Sequence, residues 1–291
     1  YSDIERGNLV QINLYDELSE VTEEKILEEP ISENTSKDNT TILLVEDNEE
    51  LLILVKNILA KHYNVLTANN GAEALTTVKG KDIDIIVSDV MMPEMDGLEL
   101  CKKLKSNLET SHIPVILLTA KNSVEDRIDC YNAGADGYIS KPFDVKVLEA
   151  RINNFMSNRK TQQSEFKSDV EINISTLDYP SIDEQFLNNA ISVIEQHLPE
   201  TEFDVNTFAD NLNMSKSSLY RKIKTMTGLS PNEFIRNIRL KHACQLLKDP
   251  SISISEVAYL VGFSIPKYFT MCFKTEFNMT PSEYQKSLNN E

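Results

Sequence analysis

The sequence predicts an α/β domain on a five-stranded parallel sheet, followed by an all-α domain that carries one helix-turn-helix unit twice. Three observations predict it. Between residues 41 and 157 short apolar runs alternate with amphipathic stretches, the pattern of strands joined by crossover helices. The phrase "KTMTGLSPNEF" (Lys224–Phe234) returns as "KTEFNMTPSEY" (Lys274–Tyr284) at an offset of 50 residues. Polar, aperiodic stretches precede each of the two regions, as linkers do.

Taken in order, "GNLVQINLYDE" (Gly7–Glu17) alternates as a short strand within residues 1–17, and residues 18–40 are an acidic linker. The α/β domain occupies 41–157. Its strands are "TILLVED", "NVLTA", "DIDIIVSD", "IPVILLTA" and "ADGYISKP", each but the last followed by an amphipathic stretch. Residues 158–180 form a second polar joint, after which Ser181 and Glu184 have the spacing of a capping box.

The helical domain spans 181–291. Lys224/Lys274, Thr225/Thr275, Pro231/Pro281 and Glu233/Glu283 are identical at the repeat offset, and Leu229/Met279, Ser230/Thr280 and Phe234/Tyr284 keep their chemistry. Ser or Thr, Pro, any residue, Glu is an N-cap, a proline at the first helical position and the glutamate of a capping box. Gly228 and Asn278, just before, suit a left-handed helix end.

Upstream of the first phrase, Val205, Phe208, Ala209 and Leu212 share a helix face. Asn213 and Met214 form a turn, and Ser215 caps a second helix with Leu219 and Ile223 inward. Upstream of the second, Ser253 and Glu256 suggest a capping box, Val257, Ala258 and Leu260 face inward, Gly262 turns the chain, and Phe269 and Phe273 anchor the next helix. The units cover about 205–226 and 253–277. Such units lay their second helix in a DNA major groove. Lys216, Ser217, Tyr220, Arg221 and Lys224 lie off the apolar stripe of the first reading helix, and Pro266, Lys267, Thr270, Met271 and Lys274 off that of the second. The alternative is that these are ordinary solvated faces, with Tyr220 packed.

A formal charge of -17 argues against nucleic acid only until its distribution is considered. Residues 211–291 hold 11 basic and 6 acidic side chains, a net of +5 on an acidic chain. The four cysteines are scattered with no paired spacing, which suggests reduced structural thiols and a cytoplasmic setting. No apolar run nears the roughly 18 residues of a membrane span, so no membrane contact is expected of this segment. The chain begins at Tyr1 without a methionine, and the expectation is that it belongs to a longer polypeptide.

In a parallel sheet ligands gather at the carboxyl ends of the strands. Glu46 and Asp47 end the first strand, Asp89 the third and Thr119 the fourth, and Lys141 follows the fifth. Three converging carboxylates call for a hard divalent cation such as Mg²⁺. The lysine and hydroxyl opposite suggest that an anion arrives on it. The chemistry implied is phosphoryl transfer onto Asp89, with Lys141 neutralising charge and Thr119 donating a hydrogen bond. Strand-end acids that merely cap helices are the plainer reading of any one of them, but not of five in register.

"LLVEDNEE", "DIIVSDVMMPEMDGLEL", "VILLTA" and "GADGYISKPF" together resemble the receiver domain of two-component response regulators, over roughly 42–157. The resemblance implies a flavodoxin-like fold and Asp89 as phosphoacceptor. It implies Asp47, Asp89 and the Met91 carbonyl as metal ligands, with Glu46 bound through water. Thr119 and Tyr138 would be the switch pair, and Lys141 the phosphate partner before a cis Pro142. Glu-Asp stands where Asp-Asp is commonest, which bears on metal affinity and phosphate lifetime.

"FADNLNMSKSSLYRKIKTMTGLSPNEFIRNIRLKHACQLL" and "ISEVAYLVGFSIPKYFTMCFKTEFNMTPSEY" look like the two halves of an AraC-type DNA-binding domain over about 181–287, with "IRNIRLKHACQLLKD" as the linking helix. In that family the reading helices enter successive major grooves about 34 Å apart. The contacts implied are Ser217, Tyr220 and Arg221, then Lys267, Thr270 and Met271. Met271 sits where relatives often carry arginine, so apolar contact such as a thymine methyl is expected there.

Receiver and AraC-type domain in this order resemble the carboxyl-terminal part of hybrid two-component regulators. That implies a histidine kinase on the same polypeptide, with residues 1–17 as the last strand of its ATP-binding domain, although no kinase active site lies in this segment. The active form is expected to be a homodimer on repeated DNA sites. The alternatives are a free-standing regulator with an unusual leader, and a receiver that acts as a phosphate sink or protein-docking module.

Overall fold

The computed structural model describes residues 40–120, 124–169, 174, 177 and 179–288. The strand expected in residues 1–17 and, but for Thr40, the acidic linker lie outside the described residues.

Strands β1 (Thr41–Val45), β2 (Asn64–Ala68), β3 (Ile85–Asp89), β4 (Val115–Thr119) and β5 (Gly137–Ser140) form one sheet in the order β2-β1-β3-β4-β5. All four pairings are parallel, with Val45 level with Ala68 and Ser88, and Asp89 level with Leu118. Helices α1 (Glu49–Leu59), α2 (Gly71–Gly80), α3 (Gly97–Ser106), α4 (Val124–Asn132) and α5 (Val145–Ser168) follow the successive strands.

Side chains alternate across a pleated strand, so a strand covered on both faces needs apolar residues at every position. Leu43, Val45, Ile86 and Leu117 pack on one face with Ala74 and Val78 of α2 and Leu100 and Leu104 of α3. Ile42, Leu44, Ile85, Val87, Ile116 and Leu118 pack on the other with Leu52, Val55 and Leu59 of α1 and Leu148 and Ile152 of α5.

Two expectations about the joint between domains are corrected. No amphipathic stretch is expected after the fifth strand, yet α5 follows it and continues through the first part of 158–180 to Ser168. The reason is divided burial: Leu148 and Ile152 enter the sheet core, whereas Phe166 enters the helical core, so no single stripe repeats along the helix. Ser181 is not a cap either. It is the first residue of α6 (Ser181–Gln196), whose N-cap is Pro180; the amides of Asp183 and Glu184 donate to the Pro180 carbonyl instead.

The helical region continues as α7 (Val205–Asn211), α8 (Lys216–Thr227), α9 (Pro231–Leu246), α10 (Ile254–Leu260), α11 (Pro266–Phe277) and α12 (Pro281–Leu288). It holds two cores, one around Phe186, Phe208, Leu219, Ile223 and Phe234, the other around Leu247, Val257, Phe269 and Phe273. Helix α9 serves both, with Phe234, Ile235 and Ile238 in the first and Leu240, Ala243 and Cys244 in the second. Arg239 between them donates to the carbonyls of Glu200 (2.6 Å) and Gly262 (3.1 Å).

Both repeated phrases form the caps their residues predict. Gly228 (φ 69°) and Asn278 (φ 57°) are left-handed helix ends. Ser230 exchanges bonds with Glu233, and Thr280 with Glu283. Leu260 is a correction: it is 44% exposed, and Val261 is buried in its stead. Helix α10 ends at Leu260 and the chain reverses at Gly262 (φ 80°), which drops the intervening residue into the core. All four cysteines are unpaired and buried. Among the described residues no helix is long and apolar enough to cross a membrane.

Candidate functional site

The carboxyl edge of the sheet gathers the predicted acids. After β1 the amide of Glu46 donates to the Ala68 carbonyl at the end of β2, which anchors the loop, and Asn48 caps α1 by accepting from the Leu51 amide. Glu46 is buried as a result, while Asp47 beside it is exposed. Asp89 closes β3 with 7% exposure, and its Oδ1 accepts from the amide of Val90 at 2.9 Å.

Lys141, reached through a cis Lys141–Pro142 bond after β5, completes the cluster. Its Nζ donates to Glu46 Oε2 at 2.8 Å and lies 3.1 Å from Asp89 Oδ2. Its own amide donates to the Thr119 carbonyl, which ties the end of β5 to the end of β4. Burial raises the Glu46 carboxyl above its usual range, and the bond from Lys141 opposes this. Burial lowers Lys141, but its bonds to Glu46 and Asp89 outweigh that and hold the ammonium above its ordinary range.

Carboxylate oxygens of Glu46, Asp47 and Asp89 all lie within 4.8 Å of one another. An all-oxygen set with one exposed member suits a hard divalent cation that keeps several waters. The Met91 side chain is 60% exposed. Thr119 is buried at the end of β4, and Tyr138, partly buried on β5, packs edge-on against Tyr131 of α4 with ring centres 5.7 Å apart.

One residue of the acidic site escaped sequence reasoning. Gly97 opens α3 and donates to the Val90 carbonyl, and a Cβ there would collide with the Asp89 carbonyl oxygen. Only glycine permits so close an approach. The signal available was the pair Asp96-Gly97, a helix cap followed at once by glycine.

The predicted reading residues divide. Lys216, Ser217 and Lys224 are exposed on α8, as is Tyr220 at 39%. On α11, Lys267, Met271 and Lys274 are exposed, while the Thr270 hydroxyl donates to the Pro266 carbonyl. Arg221 differs. It is partly buried against the sheet domain, with Nη1 3.4 Å from the carbonyls of both Val78 and Lys81 and Nε 3.6 Å from Asp82.

Its neighbour Lys222 was not singled out by sequence and is wholly buried. Its ammonium donates to the Leu108 carbonyl (2.6 Å), Ser111 Oγ (2.8 Å) and Asp183 Oδ1 (2.6 Å). The signal was its position one residue before Ile223, on the margin of the apolar stripe.

Comparison with known proteins agrees with this geometry. A family model described as "Response regulator receiver domain" matches residues 42–153, and one described as "Helix-turn-helix domain" matches residues 208–287. The transcriptional regulatory protein YvrH of Bacillus subtilis is 31% identical over 227 residues, which cover 74% of this chain and 90% of that protein. The heme response regulator HssR of Staphylococcus saprophyticus is 34% identical over 167 residues, covering 57% of this chain and 70% of that protein. A histidine kinase of Formosa agariphila is 46% identical over 251 residues; the match takes in 86% of this chain but spans only 18% of the kinase.

Proposed function

Since the chain belongs to the response regulators, a receiver domain followed by an AraC-type helix-turn-helix domain, we propose that Asp89 takes a phosphoryl group from a histidine kinase and thereby governs how α8 and α11 bind DNA. The observation that carries this is the contact of Lys141 with both Glu46 and Asp89 at the sheet edge, on a chain whose other end bears two helix-turn-helix units.

A carboxylate oxygen of Asp89 attacks the phosphorus, the bond to the kinase histidine breaks, and an acyl phosphate forms on Asp89. Lys141 neutralises charge on the phosphoryl oxygens, and the Thr119 hydroxyl donates to one of them. Glu46, Asp47, Asp89 and the Met91 carbonyl are the set that would hold Mg²⁺, which supplies further positive charge to those oxygens. Thr119 and Tyr138 then relay the change to the face formed with α4.

On the DNA side, Ser217, Tyr220 and Arg221 of α8 and Lys267, Thr270 and Met271 of α11 read base edges, with Lys216, Lys224 and Lys274 on phosphates. The exposed, off-core placement of most of them supports this reading. The kinase domain lies on the same polypeptide, as the kinase of Formosa agariphila supports, and the active form is a homodimer on repeated sites.

The test is selection of genomic DNA fragments by the chain, with and without acetyl phosphate and Mg²⁺, at one fixed salt concentration because affinity depends steeply on it. Enrichment of a repeated motif that phosphorylation modulates is expected. No motif in either state would move the protein-docking alternative ahead.

A further inference from the structure

Arg221 and Lys222 sit in the middle of the first reading helix, yet both are engaged by the receiver. Lys222 is the anchor. Its ammonium is held by the Leu108 carbonyl and Ser111 Oγ of the loop after α3, and by Asp183 of α6, which Ser111 also contacts at 2.6 Å. Ser111, Asp183 and Lys222 are all at least 99% buried. Arg221, one residue earlier, lies on the α2 carbonyl end and on Asp82.

The surface they meet lies at the amino-terminal edge of the sheet, between the loops that precede β3 and β4, at the opposite end from Asp89. It offers the carboxylates of Asp82 and Glu109 to the basic α8, with Lys81 beside them and Asp84 held by Arg159. Asp82, Asp84 and Glu109 share one cavity with Tyr220, Arg221 and Lys224 of the reading helix. Helix α5 closes over the same helix: Gln163 donates to the Thr225 carbonyl at 2.7 Å.

A helix in the major groove must present Arg221 to bases and the adjoining backbone to phosphates. The carbonyls of Val78 and Lys81 and the carboxylate of Asp82 engage that same Arg221 guanidinium. Among the described residues nothing comparable covers the second reading helix: Lys267, Met271 and Lys274 on α11 are exposed.

We propose that the receiver edge formed by residues 78–84 and 108–113 is an intramolecular docking surface for α8, so that receiver and DNA compete for Arg221 while α11 stays open to DNA. The inference rests on the DNA-reading role argued above. Docked, the chain has one reading helix available and binds DNA weakly. Undocked, both helices engage, and the second engagement is intramolecular.

The experiment uses the full chain and the DNA motif enriched by selection, at one salt concentration, with amide hydrogen exchange followed over residues 78–84 and 108–113. DNA is expected to release protection at both segments. The exposed substitution Asp82→Ala is expected to tighten DNA binding about two- to fivefold, the worth of one exposed ion pair. In an Arg221→Ala background the same substitution is expected to change nothing. DNA binding that leaves protection at both segments intact, with Asp82→Ala without effect, would overturn the docking surface alone. Binding of no DNA by either chain would overturn the DNA-reading role, and this inference with it.

Discussion

The ammonium of Lys141 lies 2.8 Å from the carboxylate of Glu46, a buried acid contributed by the opposite half of the sheet edge. That bond joins the end of β5 to the end of β1, across β4 and the strand β3 that ends in Asp89. A single lysine therefore contacts both buried acids before any phosphate arrives.

Asp89→Asn is expected to abolish phosphoryl uptake from acetyl phosphate in Mg²⁺, because the amide nitrogen and oxygen lack the carboxylate's nucleophilicity. Lys141→Ala is expected to slow uptake by on the order of 10²-fold, the scale of losing one preorganised charge partner. Phosphate incorporation followed by intact mass measures both. Persistent labelling of Asp89→Asn would place the acceptor elsewhere.

Gly97→Ala tests the close approach of α3 to the Asp89 backbone. The added methyl meets a carbonyl oxygen, which cannot swing aside as a side chain would. A loss of about 1–3 kcal/mol in urea unfolding is expected from such overpacking, together with slower phosphoryl uptake as Asp89 is displaced. Unchanged stability would show that α3 shifts freely.

Asp183→Ala removes the carboxylate partner of Lys222, leaving a buried ammonium with only a carbonyl and a hydroxyl. A cost of roughly 3–5 kcal/mol is expected, and much of it should return when Lys222→Met is added, since an apolar pair tolerates burial better than an orphaned charge. A double-mutant cycle by denaturant unfolding measures the coupling.

Lys241 predicts a dependence on pH. Burial lowers its ammonium to about 8, where it donates to the Phe166 carbonyl at 2.6 Å. A lysine whose folded value is depressed binds its proton more weakly folded than unfolded. Its protonation therefore opposes folding fully below about pH 8, and the penalty disappears as pH rises towards the ordinary value of 10.5. Stability of the native chain relative to Lys241→Met is expected to rise between those limits. A pH-independent difference between the two chains would show that Lys241 titrates normally.

Much of the acidic site is legible in sequence because it sits at strand ends. A strand's length and direction follow from its apolar run, so Glu46, Asp47, Asp89, Thr119 and Lys141 can be aligned along one edge without knowing any contact. Gly97 was not legible, since its role depends on how closely α3 approaches the β3 backbone. The helical repeat is legible for a similar reason: Ser230 with Glu233 and Thr280 with Glu283 are local bonds between residues three apart. Leu260 misleads because the turn after it, rather than helical period, decides which residue enters the core.

The sequence by itself determined the five strands of the sheet, the helices of the two repeated units, the line of charged groups at the sheet edge and the duplication of the helix-turn-helix unit, because each depends on short-range periodicity, capping or composition. Tertiary structure alone decided that α5 is one helix serving two cores, that Lys222 is buried while Lys224 is exposed, and that Arg221 lies on the receiver. Those outcomes rest on contacts between residues far apart in sequence, such as Phe166 with Phe234, Lys222 with Leu108 and Arg221 with Val78, and no local pattern encodes which distant group a side chain will meet.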